Sequence, residues 1–406
     1  MIERQVVTAF LTRGPQVLLL RRGDRVRTYR GLWAGASGTI EAGRSPIEQA
    51  IQEIEEETGL SNSEADPVLA GRPFDFVDES ISRRWIVHPF RFRIAADAKV
   101  VLDWENSVAV WTEPAQLERL STVPRLLDSW RRVAFLPQAI ERSLDDLRHD
   151  HSAGAAELAR QALSLLESAA HLHETDSPHD LTDLLDRTAG ALRLARPTMA
   201  PIAYWSDRFE SALSDINRKY PTMSALPSAV ATAVLNLGIE ADQLADLLAT
   251  NVADSLSDAN VVVTASYSST LIKGLSRAAD RGKRIRVLAL ESGGGSPSFG
   301  RRVSDAARAA GLPATVVPND DLPVAVRQAD LVLIGADSVL SDGSVINGTP
   351  SRLLAEAAQR ASVPVIVAAG PTKRLGEDSP ALAFLRTGRL EAGFDLVPAR
   401  LIQVIL

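Results

Sequence analysis

The pattern of hydrophobic and polar positions changes twice along the chain. Up to about residue 130, short runs rich in β-branched residues surround one amphipathic helix, and the runs lie at 6–11, 17–20 and 84–87. Such runs predict the strands of a compact α/β unit. Leucines then recur at helical spacing as far as about residue 255, with breaks at 176–180 and 195–198. This second stretch predicts a helical unit.

Beyond about residue 256, short apolar strands alternate with helices such as those expected at 299–310 and 350–361. The predicted strands are residues 261–266, 285–292, 314–318, 331–337, 363–369 and 401–405. Continuous apolar strands separated by helices are typical of a parallel sheet covered on both faces. We therefore expect three units, at residues 1–135, 136–255 and 256–406.

Composition narrows the class of protein. The 406 residues suffice for two or three domains, and 45% hydrophobic with 23% charged residues is a globular balance. The apolar run near the start is too short for a signal peptide, so we expect a cytoplasmic protein that does not associate with membranes. The net charge of −7 argues against a direct nucleic-acid partner. The lack of cysteine excludes disulfides, thiolate metal sites and cysteine nucleophiles.

The most informative segment is residues 38–60. Ser45 and Pro46 are a good N-cap and first-turn pair, and Glu48 completes a capping box, so a helix is expected to begin there. Its buried stripe is predicted to consist of Ile47, Ala50, Ile51 and Ile54.

Three carboxylates of this helix, those of Glu53, Glu56 and Glu57, are expected to share the neighbouring face. Like charges at this spacing destabilise a helix by a few tenths of a kcal/mol per pair, so a compensating partner is expected. Oxygen ligands on a fixed scaffold suit Mg²⁺ or Mn²⁺. The alternative is a solvated acidic face that binds nothing.

The same segment resembles the Nudix box. The positions that match it are Gly38, Glu53, Ile54, Glu56, Glu57, Gly59 and Leu60. Two positions depart: Arg44 stands where the family has glutamate, and Gln52 where it has the arginine that helps to orient the carboxylates. The resemblance implies a Nudix α/β/α sandwich that hydrolyses a nucleoside diphosphate linked to another moiety, through water attack on phosphorus beside a metal ion.

The resemblance also implies roles for individual residues. The expected metal ligands are Glu53, Glu56 and Glu57 together with the carbonyl of Gly38. The expected catalytic residues are Glu53, Glu56 and Glu105. Glu105 precedes Trp111 by six positions, a spacing found in many family members for an auxiliary base or ligand, although it is equally consistent with an ordinary loop acid.

An arginine-rich stretch lies just upstream, with five arginines among residues 21–30. Arg21, Arg22 and Arg27 are our candidates for binding substrate phosphates, and the alternative is a solvated loop. Trp33 is a candidate for stacking on a base, with a role in the core as the alternative.

Polar groups in the last unit follow the predicted strands. A hydroxyl cluster that includes Ser266, Ser268 and Ser269 follows the first strand, a glycine-rich turn at 293–298 follows the second, Asp337 ends the fourth, and Lys373 follows the fifth. Ligands of open parallel sheets bind beyond the carboxyl ends of the strands, so these groups predict a pocket.

Residues 140–406 resemble the superfamily of initiation factor 2B regulatory subunits, ribose-1,5-bisphosphate isomerase and methylthioribose-1-phosphate isomerase. The similar segments are 195–198, 263–268, 290–292, 334–337, 345–347 and 394–398. The resemblance adds Asn347 to the candidate pocket. The isomerases pair a cysteine with the aspartate, but here Ser266 stands in its place, while Gly293 and Gly348 replace an arginine and a lysine. A hydroxyl is a poorer acid or nucleophile than a thiol, so isomerase chemistry is not expected.

The sequence thus predicts an α/β chain: a Nudix sandwich, a helical subdomain and a Rossmann-like parallel sheet domain. We expect a Mg²⁺-dependent or Mn²⁺-dependent Nudix hydrolase joined to a domain that binds a nucleotide or sugar phosphate, or that mediates assembly as a homodimer. One alternative is a sugar-phosphate isomerase in which Ser266 substitutes for the thiol beside Asp337. Another is a non-catalytic regulator.

Overall fold

The computed structural model describes residues 2–171, 177–220, 222, 224–293, 298–377, 379–386 and 390–406. Its N-terminal elements are β1 (Ile2–Arg13), β2 (Gln16–Arg22), β3 (Trp33–Ala34), β4 (Ala36–Thr39), α1 (Pro46–Thr58), β5 (Ala65–Ala70), β6 (Phe74–Asp78), β7 (Arg83–Ile94), β8 (Asn106–Thr112) and α2 (Leu126–Arg131). The strands form one mixed sheet, in which β1 runs parallel to β7 and antiparallel to β2 and β4.

Helix α1 covers one face of this sheet. It begins at the predicted capping box, where the backbone N–H of Ser45 donates to Glu48 Oε2 at 2.8 Å. It ends at Gly59, whose φ of +68° is the left-handed conformation that glycine adopts without cost. The predicted stripe is confirmed, since Ile47, Ala50, Ile51 and Ile54 are all buried, and Val7 and Leu11 of β1 belong to the same cluster.

The opposite face of the sheet packs on the helical unit. Its helices are α3 (Gln138–His149), α4 (Ala155–His171), α5 (Pro178–Ala195), α6 (Ala200–Lys219) and α7 (Leu226–Ser255). Phe10 and Leu69 of the sheet share a hydrophobic core with the leucines of these helices. Gly190 of α5 lies so close to β5 that a Cβ there would be 2.2 Å from the carbonyl oxygen of Ala70. The boundary expected at 135 stays a prediction, and the core continues across it.

The C-terminal elements are β9 (Val261–Thr264), α8 (Ser269–Asp280), β10 (Arg286–Leu290), α9 (Phe299–Ala309), β11 (Ala314–Val317), α10 (Leu322–Arg327), β12 (Leu331–Gly335), β13 (Ser338–Val339), β14 (Val345–Gly348), α11 (Ser351–Arg360), β15 (Val365–Ala368), α12 (Pro380–Arg386), β16 (Phe394–Val397) and β17 (Val404–Ile405). The main sheet is parallel, in the order β11-β10-β9-β12-β15-β17. This is the Rossmann order, which reverses between β9 and β12 and so opens a crevice there.

The predicted parallel strands are confirmed to within a few residues. The sequence did not predict the small antiparallel sheet β13-β14-β16, which lies beside the crevice. Nor did it predict that α12 returns to the N-terminal domain, where Ala383 and Phe384 join the cluster that buries α1. None of the helices within the described ranges is both long and apolar enough to cross a bilayer.

Candidate functional site

Glu53 is held at the edge of the N-terminal sheet by a glycine and a glutamine. A Cβ on Gly38 of β4 would lie 1.8 Å from Glu53 Oε1, so the carboxylate rests where only glycine leaves room. One turn earlier on α1, the amide of Gln49 donates to Glu53 Oε1 at 2.8 Å. Gln49 is buried, and its own oxygen accepts the backbone N–H of Glu41 at 3.1 Å. The orientation of Glu53 is therefore set by buried neighbours.

Glu57 lies in the interior, whereas Glu56 is exposed. Only 3% of Glu57 is exposed, and its carboxylate accepts hydrogen bonds from Ser37 N at 2.9 Å and from Asn106 Nδ2 at 2.7 Å. Its position three residues after Ile54 puts it at the border of the apolar stripe. Burial raises the pKa of Glu57 to about 8, against the pull of these hydrogen bonds. Its role as a metal ligand stays a prediction.

The remaining carboxylates surround Glu53 with negative charge. Glu56 is exposed, and Gln52 Nε2 donates to it at 2.6 Å. Burial raises the pKa of Glu53, and repulsion from Glu56, Glu105 and Glu41 raises it further, while the Gln49 hydrogen bond opposes the shift. The structure thus brings the predicted Glu53, Glu56 and Glu105 into one electrostatic cluster.

The donor set of this cluster suits a hard divalent cation in its chemistry, because it consists of carboxylate oxygens that repel one another. Glu53 and Glu56 are the expected metal ligands within this cluster, and their ligation of an ion stays a prediction. Among the residues that the structure describes, no group of three or more His, Asp or Glu side chains stands ready to hold a metal. The residues therefore match a divalent cation in the chemistry of their donor atoms, but they do not form a preorganised metal site in the described part of the chain.

The two departures from the Nudix pattern make separate local contacts. Arg44 pairs with Glu41 at 3.3 Å, and Gln52 donates to Glu56. The buried Oε1 atom of Gln52 has no partner in the described part of the chain. Arg44 and Gln52 therefore pair with different glutamates and not with each other. The side chain that donates a hydrogen bond to Glu53 is Gln49.

A cavity of about 150 Å³ opens beside Gly38 on the sheet face opposite α1. Aromatic side chains line it, namely Tyr29, Phe76 and Trp85. The hydroxyl of Tyr29 donates to Asp78 Oδ2 at 2.7 Å and accepts the indole N–H of Trp85 at 3.2 Å, which fixes two of the three rings. Arg22 also lines the cavity and lies near enough to Glu57 to oppose the rise of its pKa.

Of the four predicted substrate-binding residues, Arg22 lines this cavity, and Arg21, Arg27 and Trp33 do not. Arg22 is at the cavity, with its Nε donating to the carbonyl of Thr28 at 3.1 Å. Arg21 Nε donates to the carbonyl of Gly31 at 3.1 Å, and Arg27 is exposed. Trp33 packs against the core shared with the helices. Sequence reasoning missed the three aromatic rings, although the alternation of aromatic and acidic residues at 74–76 was a signal for one of them.

The second candidate site lies in the crevice between β9 and β12. Ser266 follows β9 with φ of +65°, and its N–H donates to Ser292 Oγ at 3.0 Å. A Cβ on Gly348 would lie 2.4 Å from Ser266 Oγ, so the lysine of the family pattern would not fit without a shift. Ser268 caps α8, and Asn347 donates to Ser351 Oγ at 2.7 Å. Both side chains lie beside Gly335, where a Cβ would be 3.1 Å from Ser268 Oγ and 3.8 Å from Asn347 Oδ1.

The crevice holds two acidic and two basic side chains that interact with one another, namely Asp337, Lys373, Arg196 and Glu391. Burial raises the pKa of Asp337 to about 6, although Lys373 and Arg196 lower it. Burial lowers the pKa of Lys373, and Asp337 opposes the shift. Arg196, which is 3% exposed, pairs with Glu391 Oε1 at 2.6 Å, and Thr198 Oγ1 donates to Glu391 Oε2 at 2.6 Å. Sequence reasoning did not include Arg196 or Glu391 in the pocket.

A cavity of about 270 Å³ adjoins this network. Ser269 and Lys373 line it, as do Arg160, Trp205 and Lys273 from the helices that cover the crevice. The middle of the predicted glycine-rich turn, residues 294–297, lies outside the described residues. The ligand-binding roles of the predicted pocket residues stay predictions.

Comparison with known families shows the family of residues 151–378, which make up more than half of the chain. The model of the initiation factor 2 subunit family matches residues 151–378. The chain belongs to the initiation factor 2 subunit family. A NUDIX domain model matches residues 3–133, so both resemblances noted in the sequence are confirmed.

Relatives of this family member include two kinds of protein. The chain is 28% identical over 237 residues to the putative translation initiation factor eIF-2B subunit 2-like protein of Pyrococcus abyssi, covering 58% of this chain and 79% of the relative. It is 27% identical over 236 residues to ribose 1,5-bisphosphate isomerase of Haloterrigena turkmenica, covering 58% and 70%.

Solved structures show the same fold for the initiation factor part. The eIF-2B of Pyrococcus horikoshii OT3 superposes with a TM-score of 0.55 at 20% identity, covering 66% of this chain and 95% of that one. A chain of the tetrameric eIF2B-beta2-delta2 complex from C. thermophilum gives 0.55 at 21% identity, covering 70% and 93%. These likenesses establish the fold alone.

Proposed function

We propose that the NUDIX domain hydrolyses a phosphoric anhydride bond in a nucleoside diphosphate derivative, with Mg²⁺ or Mn²⁺ as cofactor. One observation carries this proposal: Glu53 lies against Gly38 of β4, and an aromatic cavity opens beside the same glycine. A carboxylate suits a cation, which would in turn bind phosphates, and aromatic rings suit a base. A cytoplasmic location is part of the same proposal.

The base would lie in the cavity between Phe76 and the fixed rings of Tyr29 and Trp85. A volume of about 150 Å³ takes one ring system and not a whole nucleotide derivative, so the phosphates would lie at the mouth. Arg22 lines the cavity and lies near enough to buried Glu57 to interact with it electrostatically. At this position its guanidinium would be able to contact a phosphate.

A bound divalent ion would neutralise charge on the phosphate oxygens and lower the pKa of the attacking water. Gln49 would keep Glu53 in one orientation through the 2.8 Å hydrogen bond. Glu105, which is partly exposed, is the candidate that accepts the proton of the water. Buried Glu57 would brace β4 through Ser37 and the start of β8 through Asn106.

The test is phosphate release from a panel of nucleoside diphosphate derivatives with Mg²⁺, using the full chain. Glu53→Gln and Glu56→Gln should lower kcat by about a hundredfold or more, since electrostatic groups of this kind contribute on that scale. Glu55→Gln is the matched control, because Glu55 is exposed on the same helix. Turnover on no panel member, or turnover that neither substitution reduces, would contradict the proposal.

We propose that the crevice of the initiation factor domain binds a nucleotide or sugar phosphate. Hydroxyls at the start of α8 and the partly buried Lys373 are suited to a phosphate, and one group of relatives is named for a sugar bisphosphate. Calorimetric titration of the full chain with AMP and ribose phosphates tests this proposal, with Lys373→Met expected to weaken binding. A homodimer through the sheet domain belongs to the same proposal, and light scattering tests it.

A sugar-phosphate isomerase is the second candidate. The raised pKa of Asp337, about 6, and its proximity to Lys373 favour a proton-transfer role. Ser266 stands in place of the thiol, which argues against it. Conversion of ribose 1,5-bisphosphate to a ketose, abolished by Asp337→Asn, would support this candidate. If neither activity is detected, the non-catalytic regulator is favoured.

A further inference from the structure

The cavity of about 270 Å³ lies where the helical unit meets the parallel sheet domain. Helices α4, α6 and α7 form one side of it, and the start of α8 and the segment after β15 form the other. The two sides approach each other at one edge, where a Cβ on Gly370 would lie 3.6 Å from Leu248 Cδ2. Asp337 and Asn347 of the pocket predicted from the sequence do not line this cavity, whereas Lys373 does. It is therefore a separate space that shares Lys373 with the crevice.

The helices give this cavity an apolar wall. Trp205 of α6 is 3% exposed, and Leu163 of α4 and Leu248 of α7 line the cavity with it and are buried as well. The ring of Tyr204 packs edge-on against Trp205, with 5.0 Å between the centroids, which fixes the indole. The indole N–H has no hydrogen-bond partner in the part of the chain that the structure describes. Such a wall suits a planar apolar ring.

The opposite side carries a cation without a counterion in contact. Two other cations that line the cavity are neutralised, since Arg160 pairs with Asp242 and Lys273 Nζ lies 2.8 Å from Asp246 Oδ1. Lys373 Nζ, by contrast, has no hydrogen bond to any described residue and no described carboxylate within 4 Å. An ammonium that is partly removed from water without a partner is costly, so a bound anion would stabilise it.

The start of α8 adds hydrogen-bond donors beside Lys373. Ser268 caps this helix of 12 residues, and its Oγ accepts the N–H of Leu271 at 3.3 Å. Ser269 and Thr270, the first two residues of the helix, line the cavity. The first N–H groups of a helix have no acceptor within the helix, and their partial positive charge attracts phosphate. The cavity thus combines donors for an anion on one side with an apolar wall on the other.

We propose that this cavity binds a phosphate monoester that carries an apolar ring, with the ring against Trp205 and the phosphate between Lys373 and the start of α8. The inference rests on phosphate recognition at Lys373, which is part of the function proposed for this domain, and it assigns the rest of the ligand. The hydroxyls of a simple sugar phosphate would lose hydrogen bonds to water against the apolar wall. A volume of about 270 Å³, against about 150 Å³ for the NUDIX cavity that takes one ring, leaves room for a ring and a phosphate.

Calorimetric titration of the full chain with phenyl phosphate and with ribose 5-phosphate tests this inference. The two probes share the phosphate and differ in the apolar ring. Phenyl phosphate should bind about tenfold more tightly or better, which is the scale on which stacking on an aromatic side chain contributes. Lys373→Met should weaken the binding of both probes.

Ala245→Phe places a ring in the cavity from a partly exposed position of α7. It should cancel the advantage of phenyl phosphate over ribose 5-phosphate without removing a core side chain. Ala231→Phe, at a similarly exposed position of the same helix that does not line the cavity, is the matched control and should behave as the wild type.

Equal affinity for the two probes, or binding of phenyl phosphate that Ala245→Phe does not reduce, would overturn the inference and leave the proposed function standing. Binding of phenyl phosphate without binding of AMP or ribose phosphates would contradict the proposed nucleotide or sugar phosphate alone. If none of these ligands binds, both are overturned.

Discussion

The carboxylate of Glu53 occupies the place of a side chain on Gly38: a Cβ there would lie 1.8 Å from Glu53 Oε1. The obstacle is the tip of a flexible side chain and not the backbone, so Gly38→Ala should fold with Glu53 displaced. We expect kcat/KM to fall as far as in Glu53→Gln, while the free energy of unfolding changes by about 1 kcal/mol or less. Steady-state kinetics and urea unfolding measure the two effects.

Gly376→Ala is the control, because nothing lies within 4 Å of a Cβ at that position. A Gly38→Ala protein with wild-type activity would show that the observed position of Glu53 is not the working one.

Gln49 should act as a positioning residue for Glu53. Gln49→Leu removes the 2.8 Å hydrogen bond and leaves the buried N–H of Glu41 without its acceptor. We expect kcat to fall about tenfold with KM nearly unchanged, since substrate contacts are untouched. Binding of Mn²⁺, followed by electron paramagnetic resonance, should weaken in parallel. Loss of activity with unchanged Mn²⁺ affinity and a lowered melting temperature would indicate a structural role only.

The aromatic cavity predicts which ring contacts the base. Phe76→Ala should raise KM about tenfold or more, since stacking of a base on an aromatic ring contributes about 1–3 kcal/mol. Trp33→Phe should leave KM unchanged, because Trp33 packs against the core shared with the helices. The KM values of these two variants therefore show whether the base stacks in the cavity or on Trp33, the residue predicted from the sequence. A larger rise of KM in Trp33→Phe than in Phe76→Ala would favour Trp33.

Asp186 of α5 should make stability depend on pH. Burial, reinforced by repulsion from Glu210, raises its pKa to about 6, although Arg72 lies 3.9 Å away and opposes the shift. Because the folded state binds this proton more tightly than the unfolded state, Asp186 destabilises the fold above pH 6 and loses that effect as pH falls from about 6 towards 4. Asp186→Asn should therefore stabilise the protein by roughly 2–3 kcal/mol at pH 8.

Urea unfolding at pH 5 and pH 8 measures this difference, and the stabilisation should be smaller at pH 5. Asp183→Asn, on the same helix and 39% exposed, is the matched control. A stabilisation by Asp186→Asn that is equal at both pH values would contradict the prediction.

Local patterns in the sequence were enough to predict α1 and the parallel strands. The capping pair Ser45 and Pro46 and the apolar stripe act within one helix, and buried strands of a doubly covered sheet are apolar throughout. The Nudix spacing is also local and supplied Glu53 and Glu56 as candidates, whereas Glu105 came from its separate spacing to Trp111.

Contacts between distant segments account for what the sequence did not predict. The burial of Glu57 depends on Ser37 and Asn106, which lie on two other elements of the sheet. The pair of Arg196 and Glu391 joins residues nearly 200 positions apart. The three rings of the cavity come from separate stretches as well, so composition and spacing could not group them.

The close approach of Gly190 to Ala70 has a consequence for how the chain folds as a whole. Helix α5 and strand β5 belong to segments that match different families, yet they leave no room between them for a single methyl group. The hydrophobic cluster that contains Phe10 and Leu69 continues into the helices, so unfolding of either part strips the other of its cover. The NUDIX sheet and the helical unit are thus expected to melt as one cooperative unit.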